Sequence, residues 1–188
     1  TTELGTDIAQ KLKEIADVIM NCVEYPEGLF RVQELLTGCQ ILLQSNDISM
    51  ITSTIHFLSM AIYSSTNLSE YFSDLFPLIF KISFPNSDIF IKVYFSLLTN
   101  IFTDLKSNNN IALIDNLLIN YYQNLMEYIT SLEKFYKEEL TFLMILSVHI
   151  KQEKDSEAYL QFTSYLLNLL KDQRISSNEN FQSIVLWS

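Results

Sequence analysis

Ser45-Asn46-Asp47-Ile48 has the look of loop punctuation, yet the chain nearly repeats it as Asn86-Ser87-Asp88-Ile89 and, more loosely, as Gly5-Thr6-Asp7-Ile8. The aspartates Asp7, Asp47 and Asp88 stand 40 and 41 residues apart. An aspartate suits the start of a helix, because its carboxylate accepts the orphan N–H groups of the first turn and complements the positive end of the helix dipole. An isoleucine beside it opens an apolar stripe. The motif therefore predicts helices that begin on a regular beat.

Outward from that motif the apolar spacing is helical almost throughout. Ile8, Leu12, Ile15, Ile19 and Val23 lie on one stripe, capped by Thr6 or Asp7. Glu24-Tyr-Pro-Glu-Gly28 breaks it, and a second helix is predicted from about Glu27 to Gln44. Asn46 and Asp47 cap a third, from about Ile48 to Ser64. A fourth starts at Asn67 to Ser69, with Glu70 in its first turn; Pro77, lacking an N–H and bringing ring bulk, should kink or split it. Ser87 or Asp88 caps a fifth that runs to about Leu105. Ser107-Asn-Asn-Asn110 is the clearest loop, and a sixth helix follows from Ile111 to about Ile129. Thr130 with Glu133 reads as a capping box for a seventh, ending near Lys151. Asp155 or Ser156 opens an eighth, to about Lys171.

Composition agrees with an all-α chain. Hydrophobic residues make up 48% of the 188, enough for a sizeable core. Only 3 Gly and 3 Pro are present, too few for an all-β chain that turns every ~8–12 residues. Cys22 and Cys39 read as buried reduced thiols, which points to the cytosol or nucleus. Asn67-Leu-Ser69 is a sequon and by itself carries little weight. The start without Met and the stop at Trp187-Ser188 read as a piece of a longer protein.

Charge excludes several partners. The net charge is −10, and no window clusters Lys or Arg as phosphate binding requires, so neither nucleic acid nor an anionic membrane is expected. A basic protein segment would be steered favourably. Ile48 to Ser69 is free of Asp, Glu, Lys and Arg over 22 residues, long enough to span a bilayer, but it carries many Ser and Thr and lacks flanking cations. It reads as a helix buried on most sides.

A chemical kit is not evident. His56 and His149 are the only histidines, each alone on an apolar stretch, and read as core or boundary residues. No phosphate-cradling glycine motif or G-x-S-x-G occurs. Acidic pairs such as Glu138-Glu139 adjoin lysines and read as solvated helix ends. No catalytic residue, metal, cofactor or small-molecule substrate is expected.

Odd-numbered predicted helices begin near residues 6, 47, 88 and 131, even-numbered ones near 27, 69, 111 and 155. Each series recurs every 40–44 residues, which defines repeats of about 6–45, 47–84, 87–129 and 130–171, followed by a polar linker and a truncated element over 172–188. A helix-pair period near 40–47 residues resembles the HEAT/armadillo class of α-solenoids, here about four antiparallel pairs. The resemblance covers about 1–171 and rests on period and capping. The tetratricopeptide period of about 34 and its W-x-x-L-G-x-x-Y signature do not fit. An irregular bundle of helices near 18 residues would give similar spacing.

The even-numbered helices carry polar ladders. They are Arg31, Glu34, Thr37, Gln40 and Gln44 on the second; Glu70, Ser73, Asp74 and Lys81 on the fourth. On the sixth, Asn116, Asn120, Gln123, Asn124 and Glu127 lie opposite Ile114, Leu117, Leu118, Tyr121, Leu125 and Tyr128; on the eighth stand Glu157, Gln161, Ser164, Asn168 and Lys171. The resemblance implies that such second helices line a concave surface, which makes the ladders one polar, mildly acidic strip. The expected binding residues are Glu34, Glu70, Asp74, Asn116, Asn120, Gln123, Glu127, Gln161 and Asn168, and the expected partner is another protein, presenting a peptide or a helix. Two alternatives stand beside this scaffold or adaptor role. One is a structural segment packed within its own chain or a fixed complex, since only 9 charged residues lie between Leu35 and Met126. The other is a helical regulatory region of an enzyme.

Overall fold

A computed structural model describes residues 26–64, 68–82, 86–134 and 136–152, with residues 160 and 164 in helical conformation; side chains are described for 35–63, 69–82, 86–134, 136–149, 160 and 164. The described chain is all-helical, and no strand occurs among these residues. In order it forms α1 (Pro26–Leu43), α2 (Ile48–Ser64), α3 (Leu68–Tyr71), a 3-10 turn (Ser73–Leu75), α4 (Phe76–Ile79), α5 (Asp88–Ser107), α6 (Ile111–Ser131) and α7 (Lys137–Gln152). The first predicted helix and its cap lie outside the described residues, as does the eighth apart from Leu160 and Ser164.

Local chemistry accounts for most of the boundaries. α1 opens on Pro26, whose fixed φ suits a first turn where its missing N–H costs nothing. Asp47 caps α2 as its spacing predicts: its Oδ1 accepts the Ser49 N–H at 2.8 Å, while the Asp47 N–H donates to Ser45 Oγ at 3.0 Å. The fourth predicted helix is split. The Leu75 N–H donates to the Phe72 carbonyl in a tighter turn, and Pro77 falls in the first turn of the separate helix α4. α5 ends in a Schellman closure: the Asn110 N–H donates to the Leu105 carbonyl at 2.8 Å and the Asn109 N–H to the Lys106 carbonyl at 3.1 Å. Asn109 takes φ 57° there, a left-handed position that asparagine tolerates better than most residues.

The start of α7 differs from its expectation. Thr130 belongs to α6, where its hydroxyl donates backward to the carbonyls of Met126 and Glu127. The chain turns at Leu132, and α7 begins only at Lys137. There Glu139 reaches back to accept the Tyr136 N–H at 3.2 Å, the return half of a capping box.

α5 is the centre of the packing. Its neighbours are α2, α6, α7 and the short α3. Phe90, Ile91, Tyr94, Phe95, Leu97, Leu98, Ile101, Phe102 and Leu105 are all buried, so α5 offers water only a narrow stripe. Aromatic contacts stitch it to two neighbours. Phe95 stacks on Tyr128 of α6 with centroids 6.0 Å apart, and Phe102 meets Phe142 of α7 edge-on at 5.3 Å. Burial also pushes the phenol of Tyr94 well above its ordinary range, so that this ring stays neutral inside the core. Beyond α4, Phe80 stacks on Tyr121 of α6 at 5.1 Å. α1 packs on α2, on the 3-10 turn and on α4.

α2 corrects one expectation. It buries Ile55, Leu58, Ala61 and Ile62 on one side, but Ser49, Ser53, His56 and Tyr63 are exposed on the other. Its freedom from charge does not reflect burial on most sides.

Candidate functional site

The α6 ladder is solvent-facing, as its period predicts. Ile114, Leu117, Leu118, Leu125 and Tyr128 turn inward, joined by Tyr122 and Met126, while Tyr121 is half-buried against Phe80. Asn116, Asn120, Gln123, Asn124 and Glu127 are exposed on the opposite side. Neighbours four apart pair along the helix. The Asn120 amide donates to the Asn116 carbonyl at 2.8 Å and to its side-chain oxygen; the Gln123 amide donates to Glu127 Oε1 at 3.2 Å. These bonds hold the amides in a fixed row of donors and acceptors. Ile119, 80% exposed, stands at the edge of the row as an apolar knob that the sequence reading did not single out. Its signal was legible: an isoleucine one position before Asn120 on the polar side of a clearly amphipathic helix.

The other ladder residues are less closely joined. Glu70 lies exposed on α3 and Asp74 exposed in the 3-10 turn, so the split of the fourth predicted helix places them on two different short elements. Glu34 falls within α1, but its side chain lies outside the described ones; Thr37, Gln40 and Gln44 at the end of that ladder are exposed. Gln161 and Asn168 lie outside the described residues. The structure thus assembles four of the nine predicted binding residues on one rigid helix.

Buried and half-buried polar side chains tie helices together. The Asn100 amide on α5 donates to the Ser59 carbonyl at 2.9 Å and to the Ser59 hydroxyl at 3.0 Å, bridging α5 to α2 across 41 residues. Asp104, buried near the end of α5, accepts the Ser69 N–H of α3 at 2.9 Å and the Asn108 amide at 2.9 Å. It thereby accepts an N–H from the first turn of α3, as a capping side chain does. His149, 3% exposed, donates from Nε2 to Asp115 Oδ1 at 3.1 Å, joining α7 to α6. His56, by contrast, is exposed on α2 rather than a core or boundary residue.

Asp88 has the same letter and motif position as Asp47 and a different task. Ser87 is the N-cap of α5 and makes no side-chain cap. Asp88 instead accepts Lys134 Nζ at 2.8 Å and the Tyr136 hydroxyl at 2.7 Å, and the Lys134 ammonium lies 5.2 Å from the Tyr136 ring centroid. The hydrogen bonds from Lys134 and then Tyr136 hold the Asp88 carboxyl below its ordinary range, and the Asp88 carboxylate raises Lys134 in turn. This trio clasps the start of α5 to the turn that enters α7.

Among the described residues no group of three or more His, Cys, Asp or Glu is placed to hold a metal ion, and no helix is long and apolar enough to cross a membrane. The chain matches no protein-family model, no curated protein and no solved structure.

Proposed function

We propose that this chain is a protein-interaction scaffold of the helical-repeat kind, in which successive helix pairs stack as in HEAT/armadillo solenoids and the polar, mildly acidic face led by α6 binds a basic segment of a partner protein. One observation carries the repeat reading. The Asn100 to Ser59 bridge joins residues 41 apart, the step that separates Asp47 from Asp88, so helices one period apart pack in register. Two further contacts support it: α5 also packs on α7, and the intervening elements touch through α1 with α4 and Phe80 with Tyr121. A solenoid repeat buries its apolar face against its neighbour, and the packing of α5 on α2 and on α7 supports that reading.

The binding reading rests on the fixed amide row of α6, on the carboxylates Glu70, Asp74 and Glu127, and on a net charge of −10, which draws basic segments. Ile119 supplies the apolar contact that such polar surfaces use as an anchor. The test is affinity capture from cell extract with the chain and with a Glu70→Lys/Asp74→Lys/Glu127→Lys variant. A basic partner retained by the parent and lost by the variant supports the α6 face. Equal retention by both moves the interface elsewhere and leaves only the scaffold reading standing.

A further inference from the structure

Phe142 of α7 is fully buried against Phe95 and Phe102 of α5, and Met144, two residues on, lies about 200° around the helix from it. On that outer side Leu140, Met144 and Val148 follow at steps of four, with Ile145 beside them. Met144 is 47% and Val148 50% exposed, and Leu140 and Ile145 are half-buried. The charged residues of α7 sit at its ends: Lys137, Glu138, Glu139 and Lys151. Glu139 is buried and engaged with the Tyr136 N–H, and Glu138 is half-buried at one edge of the stripe. The exposed Lys137 and, by helical register, Lys151 bracket it. The stripe is therefore apolar in its middle and cationic at both ends. The outermost face of a stacked helical row stays in water when it is polar, and this one is not. Nothing in the α6 reading uses it.

We infer that the α7 stripe is the docking site of the chain's own residues 181–187, which lie outside the described ones. Composition selects this occupant. Phe181, Ile184, Val185, Leu186 and Trp187 make five of those seven residues apolar, and none of the seven is charged. Such a segment gains by leaving water, and Met144 and Val148 gain with it. Glu179, two residues ahead of it, brings a carboxylate to the cationic ends of the stripe. Reach is sufficient. The 28 residues between Gln152 and Phe181 span about 42 Å even as one helix, against about 24 Å for the 16 residues of α7. The tether also decides between occupants. It holds the segment at an effective concentration on the order of millimolar, above that of a separate partner or a second copy at micromolar concentration. A second copy would bring a further charge of −10 as well.

Trp187 is the only tryptophan of the chain, so its fluorescence reports on this segment alone. The test records its emission and its quenching by acrylamide in the 188-residue chain, native and in urea, from low to high micromolar protein. The expected native signal is blue-shifted and quenched several-fold less than in urea, equally at every concentration. Met144→Glu/Val148→Glu puts two carboxylates on the stripe at exposed positions, and is expected to move both readings most of the way to their urea values with the helical signal unchanged. Should that variant lose its fold, Met144→Gln/Val148→Thr makes the same comparison, with a smaller shift in the same direction. Ile41→Glu/Ile48→Glu, at the exposed apolar cluster around the turn from α1 to α2, is expected to leave Trp187 as in the parent. So is Glu127→Lys, which separates this contact from the proposed binding face of α6. A Trp187 as accessible in the native chain as in urea overturns the inference, and so does full protection in a folded stripe variant. Protection that is lost in the Ile41→Glu/Ile48→Glu chain places the segment elsewhere, and protection that grows with protein concentration gives the stripe to a second copy; either result overturns it too.

Discussion

Asn100 donates its side-chain amide to both the carbonyl and the hydroxyl of Ser59, so one side chain satisfies two acceptors on the neighbouring helix. Ser59 is buried, and water does not replace a lost partner freely there. Asn100→Ala is therefore expected to cost about 1–3 kcal/mol, the range for leaving a buried acceptor unsatisfied. Urea unfolding followed by circular dichroism measures it. Asn100→Asp, which keeps the shape but turns donors into acceptors, is expected to lose at least as much at neutral pH.

The two motif aspartates separate experimentally. Asp47→Ala removes the cap on Ser49 and is expected to cost about 1 kcal/mol, with Asp47→Asn recovering most of it. Asp88 acts through Lys134 and Tyr136, so its contribution depends on pH. Its folded carboxyl titrates below the ordinary range, which means the contribution is present above the unfolded pKa and fades as pH falls through the lowered folded one. Unfolding midpoints compared between pH 7 and pH 3 should show that fall in the parent and a smaller one in Lys134→Met. Equal slopes would remove the clasp from the account.

Cys39 is buried beside the core, and burial pushes its thiol up to about 11. In the native chain it should react with iodoacetamide far more slowly than in urea, with the modified peptide quantified by mass spectrometry. Because its folded pKa lies above the unfolded value of 9.0, its stabilising contribution holds below pH 9 and is lost as pH rises toward about 11. Rapid alkylation of Cys39 in the native state at neutral pH would contradict its placement.

Asn109 occupies the left-handed position that closes α5. Asn109→Gly should stabilise the chain or leave it unchanged, and Asn109→Val should destabilise it by about 1 kcal/mol or more, since a β-branched residue resists positive φ. Thermal unfolding of the two variants decides the sign.

Phe142 contacts both Phe95 and Phe102 and is fully buried between α5 and α7. Phe142→Ala is expected to cost about 3–5 kcal/mol through lost burial and the cavity left behind. Phe142→Leu, which keeps most of the volume, should cost appreciably less.

Helices were legible in this sequence wherever their determinants are local. The apolar period placed α1, α2, α5 and α6 within a residue or two, Asp47 announced its cap, and Pro77 announced the break before α4. Expectation failed where the determinant lies across the fold. Thr130 and Glu133 have the spacing of a capping box, but Thr130 bonds back into α6 and the turn waits for Tyr136, whose hydroxyl is held by Asp88 48 residues upstream. α3 is capped by Asp104 from 35 residues downstream, a partner that no local pattern reveals. The candidate site divides in the same way. The α6 row follows from one helical period and was readable, whereas Glu70 and Asp74 stand on separate short elements whose relation is set by packing.

The split between α3 and α4 has a consequence for how the chain comes apart. α5 and α6 run 20 and 21 residues, so most of their amides are bonded within one continuous ladder. α3 and α4 span four residues each, too few to nucleate a helix on their own, and α3 leans on an outside support, Asp104. Cooperative opening therefore has a natural seam here: amide hydrogens at 68–79 are set to exchange through local unlocking, while those in the middle of α5 exchange only when the whole array melts.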